Sequence, residues 1–172
     1  NLIVEAQLAL PPSRDEAEMQ LRVRAVGLNF RDVLNVLGEY PGDPGPPGGD
    51  VAGVVEEISS TRPSGFGLGH APLARVARAA KRVLAHKPAT LSFEQACTLP
   101  VTWSTTHVAV ERAELGACMA IIVQAAAGGV GLKAVEYAHW LHAKPVGTAG
   151  RPHKHEQLHV IGVDAKGSSR DS

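Results

Sequence analysis

The chain has 172 residues, with 17 basic and 17 acidic side chains, a balance that excludes bulk electrostatic capture of nucleic acid or an anionic membrane. Its apolar share of 44% suffices for a core, and few aromatics (4%) beside 18 Gly and 12 Pro suit a small-residue α/β protein with many turns. The length allows one domain or parts of two, and no apolar run approaches the roughly 20 residues that cross a bilayer.

Asn1 suggests an excised segment rather than a natural start. Residues 20–26 alternate as a half-buried strand, with Leu21, Val23 and Ala25 on one face. Asn29 to Leu37 reads as a short helix, with Phe30, Val33, Leu34 and Leu37 at helical spacing. Pro-Gly clusters fill 41–49, and Gly48 to Ile58 forms another strand. Arg75 to Ala85 includes a strand approaching Lys87-Pro88. Ser92 caps a helix from Phe93 to Thr98, with Glu94 and Gln95 in its first turn. Leu99-Pro100 breaks it, and Thr102 to Leu115 forms a longer helix. The β-rich part ends near residue 110, and after Gly116 the pattern is βαβ. Cys97 and Cys118 lie far apart without metal-ligand spacing, as two buried thiols in a reducing, cytoplasmic compartment would.

The stretch Val123-Gln-Ala-Ala-Ala-Gly-Gly-Val-Gly131 carries the chemistry. An apolar run from Ala117 to Val123 precedes it and a helical pattern from Val130 to Leu141 follows. Ala125, Gly128 and Gly131 stand three apart, a dinucleotide fingerprint with Ala in the first place. Ala126, Gly128, Gly129 and Val130 would then face a pyrophosphate, received by the N–H groups that open the helix. The alternative is a merely tight strand-to-helix turn. The next strand, from Lys144, ends at Thr148, Ala149 and Gly150, followed by Arg151 and Lys154. A chain selecting NAD carries a carboxylate there for the ribose 2′-hydroxyl. Two cations favour a 2′-phosphate and so NADPH, with Arg170 as a further candidate; the alternative is solvated charge at a helix start.

Four motifs come in one order: Gly27-Leu-Asn-Phe-Arg-Asp-Val-Leu34, Gly48-Gly-Asp-Val-Ala-Gly-Val-Val55, Leu91-Ser-Phe-Glu-Gln-Ala96 and the glycine loop. In this the chain resembles the enoyl reductase domain of modular polyketide synthases, similar also to that of animal fatty acid synthase, within the medium-chain dehydrogenase/reductase superfamily. The resemblance runs from about Leu21 to Arg170. It implies an α/β fold, a GroES-like β-rich substrate domain (1–110) followed by a truncated Rossmann dinucleotide-binding domain (111–172). It implies NADPH-dependent reduction of a trans-2-enoyl thioester on an acyl carrier protein, beside neighbouring megasynthase domains. Such a reaction needs hydride at the β-carbon, a proton at the α-carbon and a stabilised enolate, with neither nucleophile nor metal.

The resemblance also assigns residues. Asn29 matches a position beside the nicotinamide ribose, and equally suits a helix cap. Thr105 matches a threonine near the nicotinamide end, or is a core threonine bonding along its helix. Phe30 stands where some relatives carry a tyrosine proposed as proton source, a role phenylalanine cannot fill. Arg31 and Asp32 read as a local ion pair, and Trp103 and His107 as packing residues. Zinc-dependent relatives place Gly-His-Glu where this chain has Gly48-Gly49-Asp50, so no metal is expected; His153 and His155 read as surface histidines.

Two departures from the family pattern stand out. Ser59 to Gly69 shows no Gly-Asp-Arg-Val type strand. The sequence also stops near Arg170, whereas a complete reductase continues for roughly as long again and carries its proposed Lys and Asp proton donors there. No catalytic acid can therefore be named, and the fragment alone is expected to be inactive. Two other readings stay open: a stand-alone quinone oxidoreductase or enoyl-CoA reductase, and a non-catalytic megasynthase scaffold.

Overall fold

A computed structural model describes residues 6–7, 17–56 and 63–165, the last two as backbone only. The chain divides into two compact units, Asn1–Val101 and Thr102–Ser172.

In the first unit, β1 (Glu18–Gly27), β2 (Asp50–Val55), β3 (Ser64–Leu68), β4 (Val76–Ala80) and β5 (Leu84–His86) form an antiparallel sheet of order β4-β1-β2-β3-β5. The register of β1 on β2 shifts between Val23 and Ala25. That bulge lets one strand serve two small cores. Leu21 packs with Val55 and Ala79, whereas Ala25 packs against Ala52, Ala96 and Cys97. The expected single face of Leu21, Val23 and Ala25 is therefore split.

β3 corrects the expectation of no strand between Ser59 and Gly69. It pairs with β2 and with β5, and Phe66 packs beside Ala52. Its glycines hid it, because they erase the alternation a strand normally shows. Gly67 is required by close approach: a Cβ there would lie 2.0 Å from the Val83 carbonyl oxygen.

α1 (Phe30–Leu37) forms as expected but faces the other way. Phe30 and Leu37 are 74% and 67% exposed, and the residue α1 buries is Asp32. Two backbone donors capture that carboxylate, as described below, and they orient the helix against its apolar spacing. α2 (Phe93–Ala96) carries the expected cap. Ser92 Oγ accepts from the Gln95 N–H at 3.1 Å, and Gln95 Oε1 accepts from the Ser92 N–H at 2.9 Å.

α3 (Pro100–Arg112) starts at the proline, whose missing N–H costs nothing at a first helical position, and continues into the second unit. There β6 (Ala120–Val123), α4 (Gly129–Trp140), β7 (Lys144–Gly147), α5 (Pro152–Val160) and β8 (Asp164–Ala165) alternate. The three strands form a parallel sheet of order β6-β7-β8. Val123, Ala126, Val135, Ala149, Leu158 and Val163 make its core. Cys97 is buried as expected, but Cys118 is exposed, so the reading of two buried thiols holds for one of them. No helix of the described residues is long and apolar enough to cross a membrane.

Candidate functional site

The loop from β6 to α4 is tied to the end of β7. Thr148 donates its N–H to the Val123 carbonyl at 3.0 Å and accepts the Ala126 N–H on its own carbonyl at 2.9 Å. Its Oγ1 accepts from the Ala125 N–H at 3.2 Å. Ala125 has a φ of 49°, in the left-handed region that glycine occupies most easily. Gly128 then serves as N-cap of α4, and its N–H donates to the Ala125 carbonyl at 2.8 Å. At Gly131 a Cβ would lie 2.6 Å from the Ala125 carbonyl oxygen and 2.7 Å from Ala126 Cα. Only glycine lets α4 pack this close to its own loop, which is the role the fingerprint assigns to its third position.

A cavity of about 340 Å³ opens at this loop, lined by Ala125, Ala127, Gly128, Ala149, Gly150, Arg151 and Lys154. Among the described residues, two cations line it and no carboxylate does. The first N–H groups of α4 have no intrahelical acceptor and complement an anion. A phosphate-bearing dinucleotide fits this donor set.

The other expected residues are spread more widely. Ala126 is fully buried and contributes its backbone. Gly129 and Val130 open α4 without lining the cavity; a Cβ on Gly129 would point toward the Thr102 methyl, 3.6 Å away. Thr105 is an exposed residue of α3 and does not line it either. Asn29 belongs to the first unit, and Arg170 lies outside the described residues.

Arg31 and Asp32 do not form the expected local ion pair. Arg31 donates to the Pro44 carbonyl. Asp32 is buried and accepts two backbone N–H groups, from Asn29 on Oδ2 at 2.8 Å and from Gly48 on Oδ1 at 2.7 Å. Trp103 packs edge-on against Tyr137, but His107 is exposed, with its Nδ1 3.1 Å from the Tyr137 hydroxyl. With Ser104, Glu136 and Trp140 they line a second cavity of about 620 Å³, an aromatic cluster the sequence reading had not assembled. Its signal was the spacing of Trp103 and His107, and of Tyr137 and Trp140, on two helices.

Asp50 is the other residue whose role was missed. It opens a strand that is otherwise apolar, Asp-Val-Ala-Gly-Val-Val, and is only 2% exposed. A carboxylate in such a strand must be paired. It accepts the Asn29 side-chain amide at 2.9 Å and the Val101 N–H at 2.8 Å. Burial pushes its carboxyl above the usual range, the two hydrogen bonds oppose this, and the charge of Asp32 adds to the rise. Burial, with the charge of Asp50, also pushes the Cys97 thiol up. Among the described residues no group of three or more His, Cys, Asp or Glu could hold a metal.

No protein-family model matches the chain. Over 167 residues, 93% of its length, it is 40% identical to the spectinabilin polyketide synthase system protein NorB of Streptomyces orinoci, of which this stretch is 7%. It is 37% identical over 164 residues, 90% of its length, to erythronolide synthase EryA2 of Saccharopolyspora erythraea, of which that stretch is 4%. Among solved structures, CurK enoyl reductase superposes with a TM-score of 0.82 and 29% identity, covering 96% of this chain and 55% of that one. The quinone oxidoreductase of Thermus thermophilus, solved also with NADPH, gives 0.76 and 36%, covering 92% of this chain and 54% of that one.

The chain shares the fold of the medium-chain dehydrogenase/reductase structures on which it superposes. Within that class it is similar to an enoyl reductase and to quinone oxidoreductases, and in sequence to a stretch of modular polyketide synthases. It spans about half the length of those two solved structures and less than a tenth of the two synthases.

Proposed function

We propose that this chain binds NADPH at the loop of residues 124–128 and serves, without zinc, in reducing a trans-2-enoyl thioester held on an acyl carrier protein within a polyketide synthase. The observation that carries the reading is the cavity at Gly128, with Arg151 and Lys154 on its wall and no carboxylate among the described residues that line it. Enoyl reduction rather than another hydride transfer is supported by the likeness to CurK enoyl reductase together with the polyketide synthase relatives.

When bound, the dihydronicotinamide supplies the hydride. The chain's own residues bind and orient. Gly128 and the first turn of α4 receive the pyrophosphate, with Ala126, Gly129 and Val130 shaping the turn. Arg151 and Lys154, with Arg170 as a further candidate, hold the 2′-phosphate through charge-assisted bonds. Thr148 fixes the loop from behind. Asn29 and Thr105 are proposed for the nicotinamide end. Phe30 has no proton to give, so protonation of the α-carbon falls to another group or to water.

A second reading has its own support: identity to the Thermus quinone oxidoreductase is 36%, against 29% to CurK enoyl reductase. NADPH oxidation by the protein that carries this chain separates the two. Turnover with crotonyl thioester and little with benzoquinone is expected. The reverse pattern would favour quinone reduction, and NADPH binding without turnover of either would favour a scaffold.

A further inference from the structure

The chain has two tryptophans, and both line the cavity of about 620 Å³ between α3 and α4. Every residue that lines it belongs to the second unit, and none of them lines the cavity at Gly128. Its volume falls in the range of small-molecule sites, about 300–1,000 Å³. The wall is made of rings set at angles to one another. Trp103 meets Tyr137 at 61° and Trp140 meets it at 37°, with centroids 5.8 and 5.4 Å apart. The Tyr137 hydroxyl lies 3.1 Å from His107 Nδ1, a bond that holds the middle ring. Tilted rings leave π faces uncovered that a parallel stack would hide, and Trp140 is 70% exposed.

The charge of the wall selects among occupants. An aromatic face is the negative end of the ring quadrupole and attracts cations, tryptophan most strongly. Glu136 adds a carboxylate, and neither lysine nor arginine lines the cavity among the described residues. Glu136, Tyr137 and Trp140 also stand in the last turns of α4, the end of a helix that favours positive charge. The chain itself shows what this wall attracts: Lys133 Nζ lies 5.5 Å from the Trp103 centroid while it bonds to Glu136 Oε2 at 2.7 Å. Glu136 Oε1 has no partner among the described residues.

We propose that this cavity binds a small organic cation with an alkylated ammonium head. The head rests on the tryptophan rings, Glu136 supplies the counter-charge through its second oxygen, and the apolar body of the ligand covers the remaining ring surface. The site is independent of the cofactor cavity and of the reaction proposed above.

The test compares two probes of the same shape, choline and 3,3-dimethylbutan-1-ol, which differ by a quaternary nitrogen in place of a quaternary carbon. Saturation transfer to their methyl protons reads binding to the protein that carries this chain, whatever its size. Choline should bind about fivefold to thirtyfold more tightly than the alcohol, the worth of cation–π contact with partly exposed rings. Trp140→Leu keeps an apolar side chain but removes a π face, and should cut that preference. Glu136→Gln should weaken choline and leave the alcohol as it was. Both side chains are largely exposed, so neither change threatens the fold. Equal binding of the two probes would show an apolar groove without cation selectivity and would overturn the proposal. So would the absence of choline binding, or a preference for choline that survives both substitutions, which would place the cation elsewhere.

Discussion

Ala125 donates its N–H to Thr148 Oγ1 at 3.2 Å while holding a φ of 49°. A non-glycine residue in the first fingerprint position is thus kept left-handed by the strand beside it, at a cost of about 1–2 kcal/mol. Ala125→Gly should relieve that strain and raise stability by about 1 kcal/mol. Thr148→Val removes the acceptor and should lower stability by about 1 kcal/mol. Urea midpoints of the two variants, moving in opposite directions, would test this. Equal midpoints would show that the turn is not strained.

Lys154 and Arg151 line the cavity at Gly128. Lys154→Ala should weaken NADPH about ten- to a hundredfold, the worth of one charge-assisted bond of about 1.5–3 kcal/mol. NADH should lose little, having no 2′-phosphate. Parallel titration of both cofactors decides the matter, and equal losses would mean that the lysine supports folding instead. Arg151→Ala should show the same selectivity.

Gly131 and Gly129 differ in what surrounds them. A Cβ at Gly131 meets backbone atoms of Ala125 and Ala126 below 3 Å, whereas at Gly129 it meets a methyl of Thr102 at 3.6 Å. Gly131→Ala should cost about 1–3 kcal/mol and distort the loop, weakening NADPH as well. Gly129→Ala should be tolerated and even gain up to about 1 kcal/mol of helix propensity. Thermal melts would distinguish the pair, and a stable Gly131→Ala variant would contradict the packing described above.

The raised carboxyl of Asp50 makes a pH prediction with a definite sign. A carboxyl whose folded value lies above its unfolded value of about 3.9 favours the folded state most when protonated. Its contribution is full below pH of about 4 and is lost as pH rises through the raised value. The stability of the wild type relative to Asp50→Asn should therefore decline as pH rises from about 4 through the raised value. Denaturation of both proteins across this range isolates the effect, since other carboxylates cancel. Parallel curves would show that Asp50 titrates normally.

Much of the second unit was legible in the sequence because its signals are local. The apolar run before Gln124, the glycine triplet and the helical spacing after Val130 specify strand, turn and helix within one short segment, and β6 and α4 follow them. Ser92 and Gln95 likewise carry their capping box in four consecutive residues. The basic pair after β7 was readable as a patch from its composition. Its convergence with Gly128 on one cavity depended on parallel pairing of β6 and β7, which sets Val123 beside Gly147.

What tertiary structure decided were the relationships between distant segments. The spacing of Phe30, Val33, Leu34 and Leu37 marked a helix but could not say which face would turn inward. That was settled by Asp32, whose acceptor oxygens found N–H groups at Asn29 and Gly48. β3 had no alternation to read, because it carries two glycines, one of which, Gly67, is needed for the approach of the Val83 carbonyl. Asp50 looked like one letter in a motif until the fold brought Asn29 and Val101 to it. Periodicity and caps act along the chain and can be read from it. The pairing of a buried charge acts across the fold, between donors whose distance in sequence says nothing of their distance in space.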